Sequence, residues 1–216
     1  MRFRFSRPTL QPTSCAPIDP SGAACFHATM RTPPRLETER LILRAIDPER
    51  DFGPFVAMLG DPETARFIGG AQERAMVWRN MCAVLGHWQV RGYGFLAVEE
   101  RATGDLVGRV GPWFPDGWPA PEVGWTVARP SWGRGYAVEA ATAALDWVFD
   151  DLGWSSVVHL IEADNARSIR VAEKLGSRWS RRIEKMPPPW GQPAELYGQT
   201  AASWRARQAA RLERLG

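Results

Sequence analysis

The chain has 216 residues and is 44% hydrophobic, which suits one ordinary domain with a sizeable core plus tails. Its formal charge of +3 sits at the ends: residues 1–29 carry three Arg against one Asp, residues 201–216 carry four Arg against one Glu, and the body is left at about −2, so the basic balance is at best a weak argument for nucleic-acid binding. No apolar run approaches the ~18 residues of a membrane span, and Cys15, Cys25, Cys82, His27, His87 and His159 have no metal-ligand spacing, so free thiols in a reducing cytoplasm and no metal are expected.

Residues 1–29 differ in texture from the rest, with Pro8, Pro12, Pro17 and Pro20 scattered among small and polar residues. Arg2, Arg4 and Arg7 resemble a transit peptide, but the prolines would break its helix and there is no secretory apolar core. A disordered extension, or a true start at Met30, is the expectation. A domain over 30–204 and a basic, helical tail over 205–216 should follow. Within that domain the pattern predicts a strand over 41–45 and helices over 51–60 and 73–90. Arg91-Gly92-Tyr93-Gly94 then turns the chain into a meander of strands over 95–99, 107–113 and 122–128, with a hairpin turn at Ala102-Thr103-Gly104-Asp105. Residues 114–121 form a loop that holds Trp118 among prolines. Beyond it come a helix over about 135–152, a strand over 156–161, a helix ending near Leu175 and a strand over 177–183. A proline-rich loop (186–193), a strand over 195–200 and a short basic helix over 201–215 complete the chain. The expected fold class is a mixed α/β sheet, an antiparallel meander followed by βαβαβ, with helices on both faces.

The strongest local signal is Trp132-Gly133-Arg134-Gly135-Tyr136-Ala137, which joins the strand over 122–128 to the helix that follows. Glycines at a helix opening let backbone approach a ligand, and the first N–H groups suit a phosphate. A Walker A loop would need four residues between its glycines and then Lys and Ser or Thr; a dinucleotide fingerprint would need Gly where Val138 stands. Spacing alone leaves two readings: a phosphate cradle, or a plain turn in which the glycines relieve strain.

About 30 residues on, Asn165 is a good N-cap, Ile169, Ala172 and Leu175 recur at helical spacing, and Gly176 supplies the stop. Together, the strand–Gly-x-Gly–helix unit and the strand–Asn-x-x-Ser–helix–Leu-Gly unit resemble motifs A and B of the GNAT N-acetyltransferase superfamily. The resemblance covers roughly residues 35–204. It looks closest to the branch of the ribosomal-protein N-terminal acetyltransferases, with Thr38-Glu39-Arg40-Leu41-Ile42-Leu43-Arg44 as its usual opening strand.

The resemblance implies acetyl-CoA as cosubstrate and a primary amine as acceptor, attacked directly without a covalent enzyme intermediate. Amides of Gly133, Arg134, Gly135, Tyr136 and Ala137 would meet the pyrophosphate, and the Arg134 side chain would add a charged contact. Trp132 stands where members often carry Gln or Arg. The Val127 N–H would polarise the thioester, and Asn165 would bond the pantetheine arm, cap its helix, or do both. The family's usual Tyr acid is replaced by Ala172. Ser168 is the substitute expected to protonate the thiolate, unless it merely serves its helix. Glu122 is the expected base, with Glu162 or a water chain as alternatives. Arg167, Arg170 and Lys174 read as solvated, though one can meet the CoA phosphates. Acceptor choice would lie with the loops at 67–70, 113–118 and 187–190, where Trp118 and Trp190 can stack on a substrate. The acceptor would be a peptide N-terminus or a small-molecule amine, with no nucleic acid and no membrane involved; a homodimer is left open. The competing functions are transfer from another acyl-CoA and a catalytically idle CoA-binding sensor or scaffold.

Overall fold

A computed structural model describes residues 32–187 and 191–213. The expectations for residues 1–29 and for Trp190 therefore lie outside the described residues. The chain forms β1 (Leu36–Glu37), β2 (Leu41–Arg44), α1 (Pro48–Gly60), α2 (Pro62–Ala65) and α3 (Arg74–Arg91), then β3 (Leu96–Glu100), β4 (Leu106–Trp113) and β5 (Glu122–Val127). It continues with α4 (Tyr136–Asp150), β6 (Ser156–Ile161), α5 (Ala166–Leu175), β7 (Arg178–Ile183), β8 (Ala194–Thr200) and α6 (Ala201–Glu213). Predicted and observed elements agree to within a few residues. The short β1 and α2 lie outside the prediction. Yet α2 opens like α1, with an Asp cap followed by Pro: Asp47 accepts from Glu49 N and Arg50 N, and Asp61 accepts from Thr64 N.

The eight strands form one sheet in the order β1-β2-β3-β4-β5-β6-β8-β7. The last strand of the chain inserts between β6 and β7, so the second βα crossover returns to the edge rather than beside β6. β5 and β6 are the parallel neighbours, and their pairing is confined to Glu122 opposite Val158. Beyond that point the two strands part.

Helices cover both faces. α4 packs on β2, β4 and β5, and α5 packs on α4 and β6, while α1 lies against α3 and β4. Strand alternation sorts the side chains: Val110 pairs with Trp125 toward α4, whereas Arg109 pairs with Thr126 and lies among α1 and α3 residues. The apolar stripe of α4 (Ala140, Ala141, Ala144, Leu145, Val148) is buried against Leu41, Leu43, Leu96 and Val110. Its small alanines let helix and sheet approach closely. The basic C-terminal segment is docked: Trp204 is buried, with its Nε1 donating to Asp146 at 2.8 Å, and Arg205 reaches Asp150. No helix among the described residues is long and apolar enough to cross a membrane, and no group of three or more His, Cys, Asp or Glu gathers there in a metal-binding arrangement.

Candidate active site

The N-termini of α4 and α5 open onto one cleft of about 830 Å³, which also takes in the end of β5 at Trp125, Thr126 and Val127. Trp132, Gly133, Gly135, Tyr136, Ala137 and Val138 line it on one side, and Asn165 and Ser168 on the other. Gly133 (φ 77) and Gly135 (φ 82) both take the left-handed conformation that only glycine adopts without strain. Gly135 caps α4 with no side chain bonded back to the helix, and the first helical bond runs from Glu139 N to Gly135 O. The amides of Tyr136, Ala137 and Val138 consequently have no partner within their helix. Successive N–H groups at the positive end of a dipole form a ready anion site.

A carboxylate network holds this turn from behind. Glu100 accepts the Tyr136 hydroxyl and, at 2.6 Å, Arg134 Nη2. Arg40 donates to the Arg134 carbonyl at 3.0 Å and is itself clasped by Glu139, which also takes the Thr38 hydroxyl. The structure therefore places the Arg134 guanidinium away from the cleft, at Glu100 and over the Tyr136 ring. Arg167, Arg170 and Lys174 line the cleft instead, with the Arg167 guanidinium 4.0 Å from the Trp132 ring centroid. Trp132 is braced in turn by a 2.7 Å bond from its Nε1 to the Val127 carbonyl.

Ladder geometry fixes where the Val127 amide points. Ala128 N donates to Val107 O across the β4–β5 pair. Because antiparallel bonding alternates, the Val127 N–H and C=O face the other way, toward the parted β6. This puts one main-chain donor in the throat of the cleft. Across from it, Asn165 Oδ1 accepts Ser168 N at 3.1 Å, leaving the Asn165 amide group for other partners. Ser168 sits in the first turn of α5, partly exposed and facing the cleft. Ala172 is wholly buried with Ile161 and Tyr197, so no side chain projects from its position in α5.

Glu122 stands where β5 and β6 begin to part, on the face opposite Val127, and it is 8% exposed. Its Oε1 accepts Leu160 N at 3.2 Å and its Oε2 accepts Trp118 Nε1 at 2.8 Å. Burial raises its pKa from 4.5 to about 7, against the lowering effect of those two bonds. Glu162 is raised too, by burial and then by the neighbouring Asp164, but it is more exposed.

Another buried polar side chain braces the same divergence. His159 donates from Nδ1 to the Val123 carbonyl (2.7 Å), since a carbonyl can only accept, and its Nε2 accepts the Ser177 hydroxyl at 2.9 Å. Burial lowers its pKa to about 4, which keeps the ring neutral. His159, Glu100 and Arg109 stand outside the site residues expected from the sequence. The last had a legible signal: an Arg between Val107 and Gly111 at an inward-facing strand position.

An anion-ready helix start, a splayed parallel strand pair and a capped second helix facing one cleft form a combination with known counterparts. A model of the acetyltransferase (GNAT) domain matches residues 40–178. The chain is 32% identical over 177 residues to the uncharacterised protein YkkB of Bacillus subtilis, covering 78% of this chain and 96% of that one. It superposes on the acetyltransferase of Agrobacterium tumefaciens with a TM-score of 0.67 at 30% identity, covering 77% of this chain and 94% of that chain. It also superposes on the ribosomal-protein-S5-alanine acetyltransferase of Vibrio fischeri with a TM-score of 0.63 at 15% identity (79% and 98% covered), a likeness of fold alone. With the helix starts and strand splay on the same stretch that the domain model matches, this chain belongs to the GNAT family of N-acetyltransferases.

Proposed function

We propose that the protein transfers an acetyl group from acetyl-CoA to a primary amine by direct attack, with a peptide N-terminus or a small-molecule amine as acceptor. The observation that carries this reading is the meeting of three sets of donors in one cleft: the α4 amides, the Val127 N–H and the capped start of α5. The pyrophosphate lies against the amides from Gly133 to Ala137, with Arg167, Arg170 or Lys174 meeting the phosphates in the place first expected of Arg134. The pantetheine arm continues the ladder that β6 abandons, bonded by Val127 and Asn165. The amine nitrogen attacks the thioester carbonyl, whose oxygen the Val127 N–H stabilises, and the carbon–sulfur bond breaks. Glu122 receives the amine proton through a water, and the Ser168 hydroxyl returns one to the thiolate. The exposed free thiol of Cys82 suits a reducing, cytoplasmic setting.

The buried Ala172 keeps an idle CoA-binding domain as the second reading, because it removes the family's usual acid. Thiol release from acetyl-CoA with a panel of amines separates the two, and a propionyl-CoA arm tests the acyl preference. Gly135→Asp sets a side chain at φ 82 and a negative charge at the α4 start. Calorimetry should show acetyl-CoA binding lost while the ligand-free melt stays cooperative. Unchanged affinity in that variant would remove the glycine turn from the site.

A further inference from the structure

Arg109 carries a charge that no carboxylate among the described residues balances. It belongs to a row that crosses the sheet on the α1/α3 face, Arg44 opposite Ala97, Ala97 opposite Arg109, Arg109 opposite Thr126. Arg44, at the head of the row, is held by Asp51 and Glu99 at 2.7 Å each. Those two acids are fully engaged there, and Glu99 also takes Arg50. Arg109 instead lies among Phe55, Val77, Asn80 and Met81, beside a cavity of about 10 Å³. Its guanidinium is 4.8 Å from the Phe95 ring centroid, and its Nε reaches Thr126 Oγ1 at 3.5 Å, the outer limit of a hydrogen bond. The residue is half-buried, and the cation is packed closely enough that burial lowers its pKa to about 10.

A cation buried in this way destabilises the fold unless something pairs with it. The position therefore makes sense if the anion arrives with a ligand. Thr126, the residue Arg109 touches, lines the large cleft. Thr126 and Glu122 share one face of β5, four residues or roughly 13 Å apart at about 3.3 Å per residue. A raised-pKa carboxylate and an unpaired guanidinium thus border the side of the sheet that α1 and α3 cover, away from α4 and α5.

We infer that Arg109 binds a carboxylate carried by the acceptor, so that the enzyme acetylates amines whose own molecule bears an acid group. This rests on the transferase reading above. A guanidinium matches a carboxylate with two parallel N–H bonds, and the Thr126 hydroxyl adds a further donor. The neutral amide analogue leaves the cation unpaired, and the acid is favoured over it.

The test measures thiol release by the full chain on matched acid and amide acceptors. The peptide pair begins Ser-Asp or Ser-Asn; the small-molecule pair is β-alanine and β-alaninamide. Whichever pair turns over tells the two sources of the carboxylate apart. The acid member should be favoured in kcat/KM by at least about tenfold. Arg109→Met should abolish that preference through loss on the acid member, with the KM for acetyl-CoA unchanged and the melting temperature not lowered. Arg109→Lys should keep part of it. Equal rates on acid and amide by an active wild-type enzyme would overturn the inference, as would a preference that survives Arg109→Met. Should the Met variant fail to fold, the wild-type ratio and the Lys variant decide by the same criteria. Absence of thiol release with every amine would instead refute the transferase reading, and this inference with it.

Discussion

Glu122→Gln removes a titrating group from a nearly closed environment, and its consequence for stability has a definite sign. Burial raises the carboxyl from 4.5 to about 7 in the folded protein. Between those values the native state keeps a proton that the unfolded chain has released. The contribution of Glu122 is therefore fully present below about pH 4.5 and is lost as pH rises through about 7. A shift of this size corresponds to about 3.5 kcal/mol in full, at roughly 1.4 kcal/mol per pH unit. Gln keeps one acceptor for either Leu160 N or Trp118 Nε1 but turns its amide group toward the other donor. That mismatch adds a penalty of about 1 kcal/mol that does not vary with pH. Urea unfolding of both proteins at pH 5, 6, 7 and 8 isolates the term, because Glu100, Glu139 and Asp146, whose own pKa values are displaced, cancel in the difference. The wild type should lose about 2.5 kcal/mol relative to the variant between pH 5 and pH 8, most of it before pH 7. In the same proteins, the rise of kcat/KM through pH 7 should be present in the wild type and depressed in Glu122→Gln. A stability difference flat across the whole range would show that Glu122 titrates like an ordinary carboxylate and would remove the basis for its role as base.

Two further outcomes follow from the site and from the chain's start. Ser168→Ala should lower kcat toward the lower end of the ~10²–10⁴ typical of acid–base groups while acetyl-CoA affinity by calorimetry stays nearly intact, since protonation of the thiolate belongs to the leaving-group step; wild-type kcat on a good acceptor would pass the role to water. A protein begun at Met30 should match the full chain in melting temperature and CoA affinity, because the segment before it offers few apolar groups to bury; a drop of several degrees would show that it packs on the domain.

The elements of this protein were legible because their causes are local. The Asn165 cap and Gly176 stop bounded α5, and paired glycines marked the turn before α4, each through dihedral preferences or bonds spanning a few residues. The free amides at the start of α4 belong to the same class, since a helix start exposes them whatever surrounds it. The directions of side chains within the site were decided by partners distant in sequence. Arg134 adjoins the glycine turn, but Glu100, 34 residues earlier, draws its guanidinium to the other side. Glu122 is enclosed because Trp118 folds back over it and Leu160 arrives on β6, and only that enclosure raises its pKa. The insertion of β8 between β6 and β7 likewise reflects which edges pair in the assembled sheet, a choice no single strand pattern encodes. Arg109 shows both sides of the division: its inward position follows from strand alternation, but that no carboxylate among the described residues meets it there is known only once α1, α3 and the sheet are packed together, since charge balance in a core depends on every element that encloses it.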